Sequence, residues 1–304
     1  MENLRKNRRK TPSLFAVILF ACLALCAAAC ESANRAGDEP QTRQIEDDLG
    51  RRLTIPARVE RVVSLAPNLT ENIFAVGAGD RLVGVTTYCN YPEDARRIQK
   101  IGDTVSPNME AIIALRPQIV FVSTASQIES FARTLEERNI AVFVTNPQTL
   151  EDVLTNLREL GEIFGTLERT TVLLNELHER TLAVDEQVRE KPKVRVFVQI
   201  SKEPLFTVGK DSFLTEIINR AGGESVTGNV ATAYPKLNKE TALALDPEAL
   251  ILSDSEDNRE PNDVFKNSKA VKNNRVYRID ADIVSRPGPR LVAALEQIAE
   301  ALHR

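Results

Sequence analysis

Aromatic side chains stand beside prolines in stretches rich in turn residues. Tyr88 and Tyr91 flank Cys89-Asn90 just before Pro92, Phe206 follows Glu203-Pro204, and Tyr234 precedes Pro235. Rings held on proline-stiffened loops suit a flat apolar ligand; packing of each ring onto its own lobe is the competing reading. Two acids occupy comparable places. Glu71 ends Ala66-Pro67-Asn68-Leu69-Thr70-Glu71 after an apolar run, and Glu224 ends Ala221-Gly222-Gly223-Glu224 at the close of a helical pattern. Loops at the carboxyl ends of strands in open α/β sheets carry functional groups, although by spacing alone both acids read as solvated carboxylates. Asp280 to Arg290 forms a polar loop stiffened by Pro287 and Pro289. In it Arg286 is placed to meet an amide or an anion, and a helix-capping loop is the alternative.

The signatures of catalysis are missing. Gly77-Ala-Gly79 precedes a strand rather than a helix, so it is not a dinucleotide fingerprint. Neither a phosphate-binding loop nor a nucleophile elbow occurs. The two histidines, His178 and His303, are far apart and belong to no ligand-spaced cluster, which argues against a metal site. A formal net charge of -4 gives no electrostatic case for nucleic acid. The expectation is recognition without reaction: no enzyme, no metal and no resident cofactor.

The elements that must hold these loops alternate. Apolar β-rich runs are expected as strands at 60–65, 81–86, 118–123 and 140–145, with helices at 70–76 (Asn68 or Thr70 as cap), 108–115 and 126–138. A second series follows, with strands at 194–201, 249–253 and 275–279 and helices at 212–221 and 289–302. Alternation of this kind predicts mainly parallel sheets. The series are also alike in sequence. Residues 108–123 (NMEAIIALRPQIVFVS) match residues 238–253 (NKETALALDPEALILS) at six of 16 positions, 130 residues apart. A capped helix, a proline stop and a buried strand are thus used twice, the mark of internal duplication. Between the series, residues 167–190 hold neither Pro nor Gly and predict one long helix, a stiff rod between two α/β lobes. Such a layout leaves a cleft between lobes for a ligand.

The N-terminus carries Arg5, Lys6, Arg8, Arg9 and Lys10, then an uncharged run from Leu14 to Ala29, then Cys30. A basic start, a short apolar stretch and small residues before a cysteine describe an export signal with a lipidation site at Cys30. Cys22 and Cys26 leave with that signal, so Cys89 has no disulfide partner. The expected organisation is a lipoprotein signal over 1–29, a disordered tether over 30–44, an N-terminal lobe over 45–166, the linking helix over 167–190 and a C-terminal lobe over 191–304.

Several segments together resemble the cobalamin-binding proteins of ABC importers, within a larger group that also binds siderophores and haem. They are APNLTENIFAVGAGDRLVGVTTYCNYP (66–92), NMEAIIALRPQIV (108–120), AGGE (221–224) and SRPGPRLVAAL (285–295). The resemblance implies two Rossmann-like lobes joined by one long rigid helix, the class III periplasmic binding protein fold. It implies a corrinoid ligand, cobalamin carried as cargo, held by Tyr88, Phe206, Tyr234, Asp282 and Arg286. Glu71 and Glu224 would dock on the permease subunits. The protein would be a monomer outside the cytoplasm, anchored to the membrane by its N-terminal lipid. Two alternatives stand: a haem or ferric-siderophore binder on the same scaffold, and a two-lobed α/β transferase.

Overall fold

The computed structural model describes residues 41–123 and 128–304, the side chains of 128–131 excepted. The expected signal segment, Cys30 and most of the expected tether lie outside the described residues. A two-stranded sheet comes first, Thr42–Glu46 (β1) with Arg52–Pro56 (β2). Strand β1 thus includes residues 42–44, which polarity assigns to the tether. The cause is local: Arg43 donates to the carbonyl oxygens of Glu162 and Ile163 at 3.0 and 2.5 Å.

Each lobe is a four-stranded parallel sheet. The first contains Val62–Ser64 (β3), Leu82–Val85 (β4), Ile119–Ser123 (β5) and Ala141–Thr145 (β6). The second contains Val194–Gln199 (β7), Gly223–Ser225 (β8), Ala249–Asp254 (β9) and Val276–Asp280 (β10). The strand orders are β4-β3-β5-β6 and β8-β7-β9-β10, so within each lobe the order is 2-1-3-4. The central strands are nearly continuous Val, Ile, Leu and Phe because helices cover both faces. The outer edge of β6 is closed by the turn after β1: Asp48 N donates to Val144 O, and Val144 N donates to Asp47 Oδ2.

The helices of the first lobe are Pro67–Ala75 (α1), Met109–Ala114 (α2), Ile128–Glu136 (α3) and Leu150–Phe164 (α4). Leu167–Val188 (α5) links the lobes with 22 residues, about 33 Å of helix. The second lobe has Phe213–Arg220 (α6), Lys239–Leu245 (α7), Lys269–Lys272 (α8), the short Ala281–Val284 (α9) and Leu291–His303 (α10). One hydrophobic core runs from lobe to lobe through the linker, joining Leu157 and Leu160 of α4, Leu177 and Val184 of α5, and Leu295 and Ile298 of α10.

The pattern-based expectation lacks strands β1, β2 and β8 and the short helices α8 and α9, and it differs at two further helices. Helix α4 escapes the apolar scan, yet both its ends are marked: Thr149 and Asp152 form a capping box and Gly165 closes it at φ 69°. Helix α1 starts at Pro67 rather than near Thr70, its N-cap Ala66 offering no side-chain bond. Thr70, expected as a cap, instead has its Oγ1 2.9 Å from Ser64 Oγ and 3.1 Å from Cys89 Sγ.

Identical strand orders make α1 and α6, α2 and α7, and α4 and α10 equivalent. Asn108 and Asn238 cap α2 and α7 in the same way. The likeness extends to Leu69-Thr70-Glu71 in α1 and Leu214-Thr215-Glu216 in α6, followed six residues later by Gly77 and Gly222, at φ 85° and 81°. Only glycine takes that conformation freely. His303 lies against Gly222, its Nε2 3.2 Å from Ala221 O. Burial lowers the His303 pKa below 6.5; the Ala221 contact opposes the shift, and Lys191, Arg275 and Lys193 add to it. The unfolded chain therefore takes up this proton first. The His303 contribution to stability is intact above about pH 6.5 and is lost as pH falls through the unfolded-state value toward the folded one. Substituting His303→Gln is expected to flatten the fall in melting temperature between about pH 7 and pH 5, which thermal melts in matched buffers would check.

Candidate functional site

The five expected ligand residues all lie beyond the carboxyl ends of parallel strands. Tyr88 follows β4, Phe206 follows β7, Tyr234 follows β8, and Asp282 and Arg286 follow β10. In open α/β sheets this is the edge at which ligands bind. Tyr88 is 60% exposed and Tyr234 is 44% exposed, high values for large rings without a ligand. The hydroxyl end of Tyr234 is nevertheless desolvated: burial raises its pKa, with a Ser212 hydrogen bond opposing.

Local structure fixes the rings in two groups. Tyr88 sits in the loop after β4, where Cys89 is buried with its Sγ 3.1 and 3.2 Å from the hydroxyls of Thr70 and Thr86. Phe206 bridges antiparallel to Ser201 and Lys236, and Thr207 N donates to Pro235 O, so Phe206 and Tyr234 travel on adjoining segments. Behind Phe206 lies a buried polar network. Gln199 Nε2 donates to Asn258 Oδ1 at 2.6 Å, and Asn258 Nδ2 donates to the carbonyls of Gln199, Ile200 and Ser253. Asn262 Nδ2 reaches Lys202 O at 2.8 Å, just before the Glu203-Pro204 turn. Tyr88 thus belongs to the first lobe, and Phe206 and Tyr234 to the second.

The N-terminal lobe meets the C-terminal lobe around Arg286 and Glu71. Glu71 is 4% exposed. Its Oε1 accepts from Arg286 Nη1 and Arg290 Nη2, each at 2.7 Å, and its Oε2 accepts from Arg290 Nε at 2.9 Å. Arg286 also donates to Asn90 Oδ1 at 2.7 Å and pairs with Asp282 Oδ1 at 2.6 Å, while Asn90 Nδ2 donates to Asp282 Oδ2 at 2.8 Å. Arg290 lies over the Tyr91 ring at 4.1 Å from its centroid. Burial acts to lower the Arg290 pKa, but the Glu71 carboxylate, with Tyr91 and Asp282 adding to it, outweighs burial and the net shift is upward. A Cβ at Gly288 would lie 2.6 Å from Asn72 Oδ1, so a larger residue there would oblige the Asn72 side chain to shift.

This geometry corrects one expectation directly. Glu71, expected as an exposed docking acid, is buried with both oxygens occupied, so it is not presented to a partner in this conformation. Arg286, expected to face a ligand, is committed to Glu71, Asp282 and Asn90. Asp282 keeps its side chain 39% exposed. Glu224 is exposed, but it sits inside the edge strand β8, opposite Arg195 in register, rather than in a loop. A cavity of about 250 Å³ between the lobes is lined by Glu71, Phe74, Tyr91, Pro92, Pro289 and Arg290. It falls below the roughly 300–1,000 Å³ of ligand pockets and is too small for a corrin. Among the described residues no group of three or more His, Cys, Asp or Glu is placed to hold a metal.

Two parallel α/β lobes on one rigid helix, with exposed rings and polar groups gathered at strand ends, define a bilobed solute-binding protein of class III. The chain belongs to the periplasmic binding protein family, whose signature matches residues 62–283. It is 31% identical over 246 residues to the vitamin B12-binding protein of Vibrio parahaemolyticus, covering 80% of this chain and 89% of that one. It is 30% identical over 268 residues to the ABC transporter substrate-binding lipoprotein YvrC of Bacillus subtilis, covering 85% of each. The crystal structure of the periplasmic vitamin B12-binding protein BtuF of Vibrio cholerae matches with TM-score 0.72 at 25% identity, over 81% of this chain and 98% of that one. A periplasmic heme-binding protein from Pseudomonas aeruginosa shares the fold with TM-score 0.71 at 23% identity, over 80% of this chain and 92% of that one.

Proposed function

We propose that this chain is the extracytoplasmic substrate-binding lipoprotein of an ABC importer, capturing a cobalamin-like corrinoid between its lobes and handing it to the permease. The observation that carries the reading is the position of Tyr88, Phe206, Tyr234 and Asp282 past strand ends, with two rings left open to solvent. A flat macrocycle would cover those rings, and Asp282 would accept from its amide side chains. Named vitamin B12-binding relatives at about 30% identity support the choice of cargo. The corrinoid is cargo rather than a cofactor, the protein acts as a monomer, and Cys30 carries the membrane anchor.

Calorimetry with cyanocobalamin tests the cargo. Wild type is expected to bind, and Tyr88→Ala to bind about 1–3 kcal/mol more weakly, the worth of one ring contact. Absence of heat with cyanocobalamin alongside binding of haemin would reassign the cargo to haem. For delivery, Glu224 is the acid whose exposure suits a contact with cationic permease residues. Its replacement, Glu224→Ala, is expected to reduce uptake in whole cells while leaving the dissociation constant unchanged. Equal uptake by variant and wild type would remove Glu224 from the docking surface.

A further inference from the structure

The repeated Leu-Thr-Glu segment does the same mechanical task twice. In α1, Glu71 crosses to the other lobe and engages Arg290, the N-cap residue of α10, together with Arg286. In α6, Glu216 crosses in the opposite direction: its Oε2 accepts from the backbone N of Leu150, the first residue of α4, at 2.7 Å. Helices α4 and α10 are equivalent by topology. Each lobe's first helix therefore uses the same glutamate to grip the leading end of the other lobe's last helix.

The local chemistry explains why both grips hold. The capping box of α4 satisfies the N–H groups of Thr149 and Asp152 but leaves that of Leu150 without an intrahelical partner. Glu216 supplies the missing acceptor at the positive end of the helix, and is itself steadied by Arg220, 3.7 Å away. At the other site α10 has no side-chain cap, and its leading end is held through Arg290. The threonines of the two motifs act alike. Thr70 bonds Ser64 and Thr215 bonds Gly209 O at 2.7 Å, each tying its helix to the chain just before it.

We propose that Glu71 and Glu216 are a pair of interlobe clasps that fix the aperture of the cleft before any ligand arrives. Helix α5, the apolar core packed on it and the Asn90 bonds to Asp282 and Arg286 already join the lobes. The clasps add two attachments and close a ring of contacts through α1, α4, α5 and α10. This inference goes beyond the proposed function and depends on neither cargo nor permease.

Distances between spin labels test it without ligand. Labels placed by Glu110→Cys and Glu240→Cys sit at equivalent exposed positions of α2 and α7, in the full chain with its four native cysteines changed to serine. Wild type at the clasps is expected to give one narrow interlobe distance. Glu71→Gln and Glu216→Gln are each expected to add a longer-distance population, and the double variant to enlarge it. A merely structural role would change melting temperature and leave distances alone. Unchanged distributions in all three variants would overturn the proposal. Glu216 is a third exposed, so Glu216→Gln is the safer fold. Should Glu71→Gln fail to fold, an unchanged distance in Glu216→Gln overturns the proposal by itself.

Discussion

Replacing Glu71 with alanine is expected to lower the unfolding free energy by about 3–5 kcal/mol, because two guanidinium groups lose the carboxylate buried between them. The side chain of Arg286 is 10% exposed and that of Arg290 is 23% exposed, so water cannot restore what Glu71 supplies. Arg286 would keep Asp282 and Asn90, whereas Arg290 would keep the Tyr91 ring. A urea titration of Glu71→Ala, Arg290→Ala and the double variant checks the assignment. The two losses should be strongly non-additive, since either change alone already breaks the bidentate pair. Additive losses, or a drop below about 1 kcal/mol typical of a surface pair, would contradict the buried geometry.

A loss of at least about 3 kcal/mol is expected for Asn258→Leu. One side chain there accepts from Gln199 and donates to three backbone carbonyls, all near the ends of β7 and β9. Asn258 is 1% exposed and Gln199 is fully buried. Each buried polar group left unpaired costs roughly 1–3 kcal/mol, and leucine answers none of them. The damage should extend to the site, because Gln199 and Asn262 steady the segment that presents Phe206. Urea unfolding measures the first effect. Amide exchange across residues 200–206 reads the second, and protection equal to wild type would show that the network does not position Phe206.

Much of the architecture is legible in the residues, for physical reasons that also mark its limits. The alternation of apolar runs with capped helices requires parallel sheets, and the repeat of residues 108–123 at 238–253 anticipates two lobes with one strand order. The rod at Leu167–Val188 is visible because nothing in it breaks a helix. Other features carry a signal that periodicity does not weigh. Helix α4 is marked by its caps rather than by its apolar face. The second Leu-Thr-Glu, 145 residues after the first, is plain once the topology aligns the two helices. The burial of Glu71 has no such trace. Its partners lie 215 and 219 residues away, and only the folded lobes bring them together. Arg286 and Arg290 stand four residues apart in one proline-stiffened loop, a spacing that does not say which acid they serve.

The uncovered rings at the strand ends have an optical consequence. The chain has no tryptophan and four tyrosines, and three of these, Tyr88, Tyr91 and Tyr234, are at least 44% exposed in the loops that would face a guest. Its intrinsic emission therefore arises from tyrosine alone, and mostly from that region. A bound coloured macrocycle would quench it by energy transfer, so the native protein is its own fluorescent gauge of occupancy, with no dye attached.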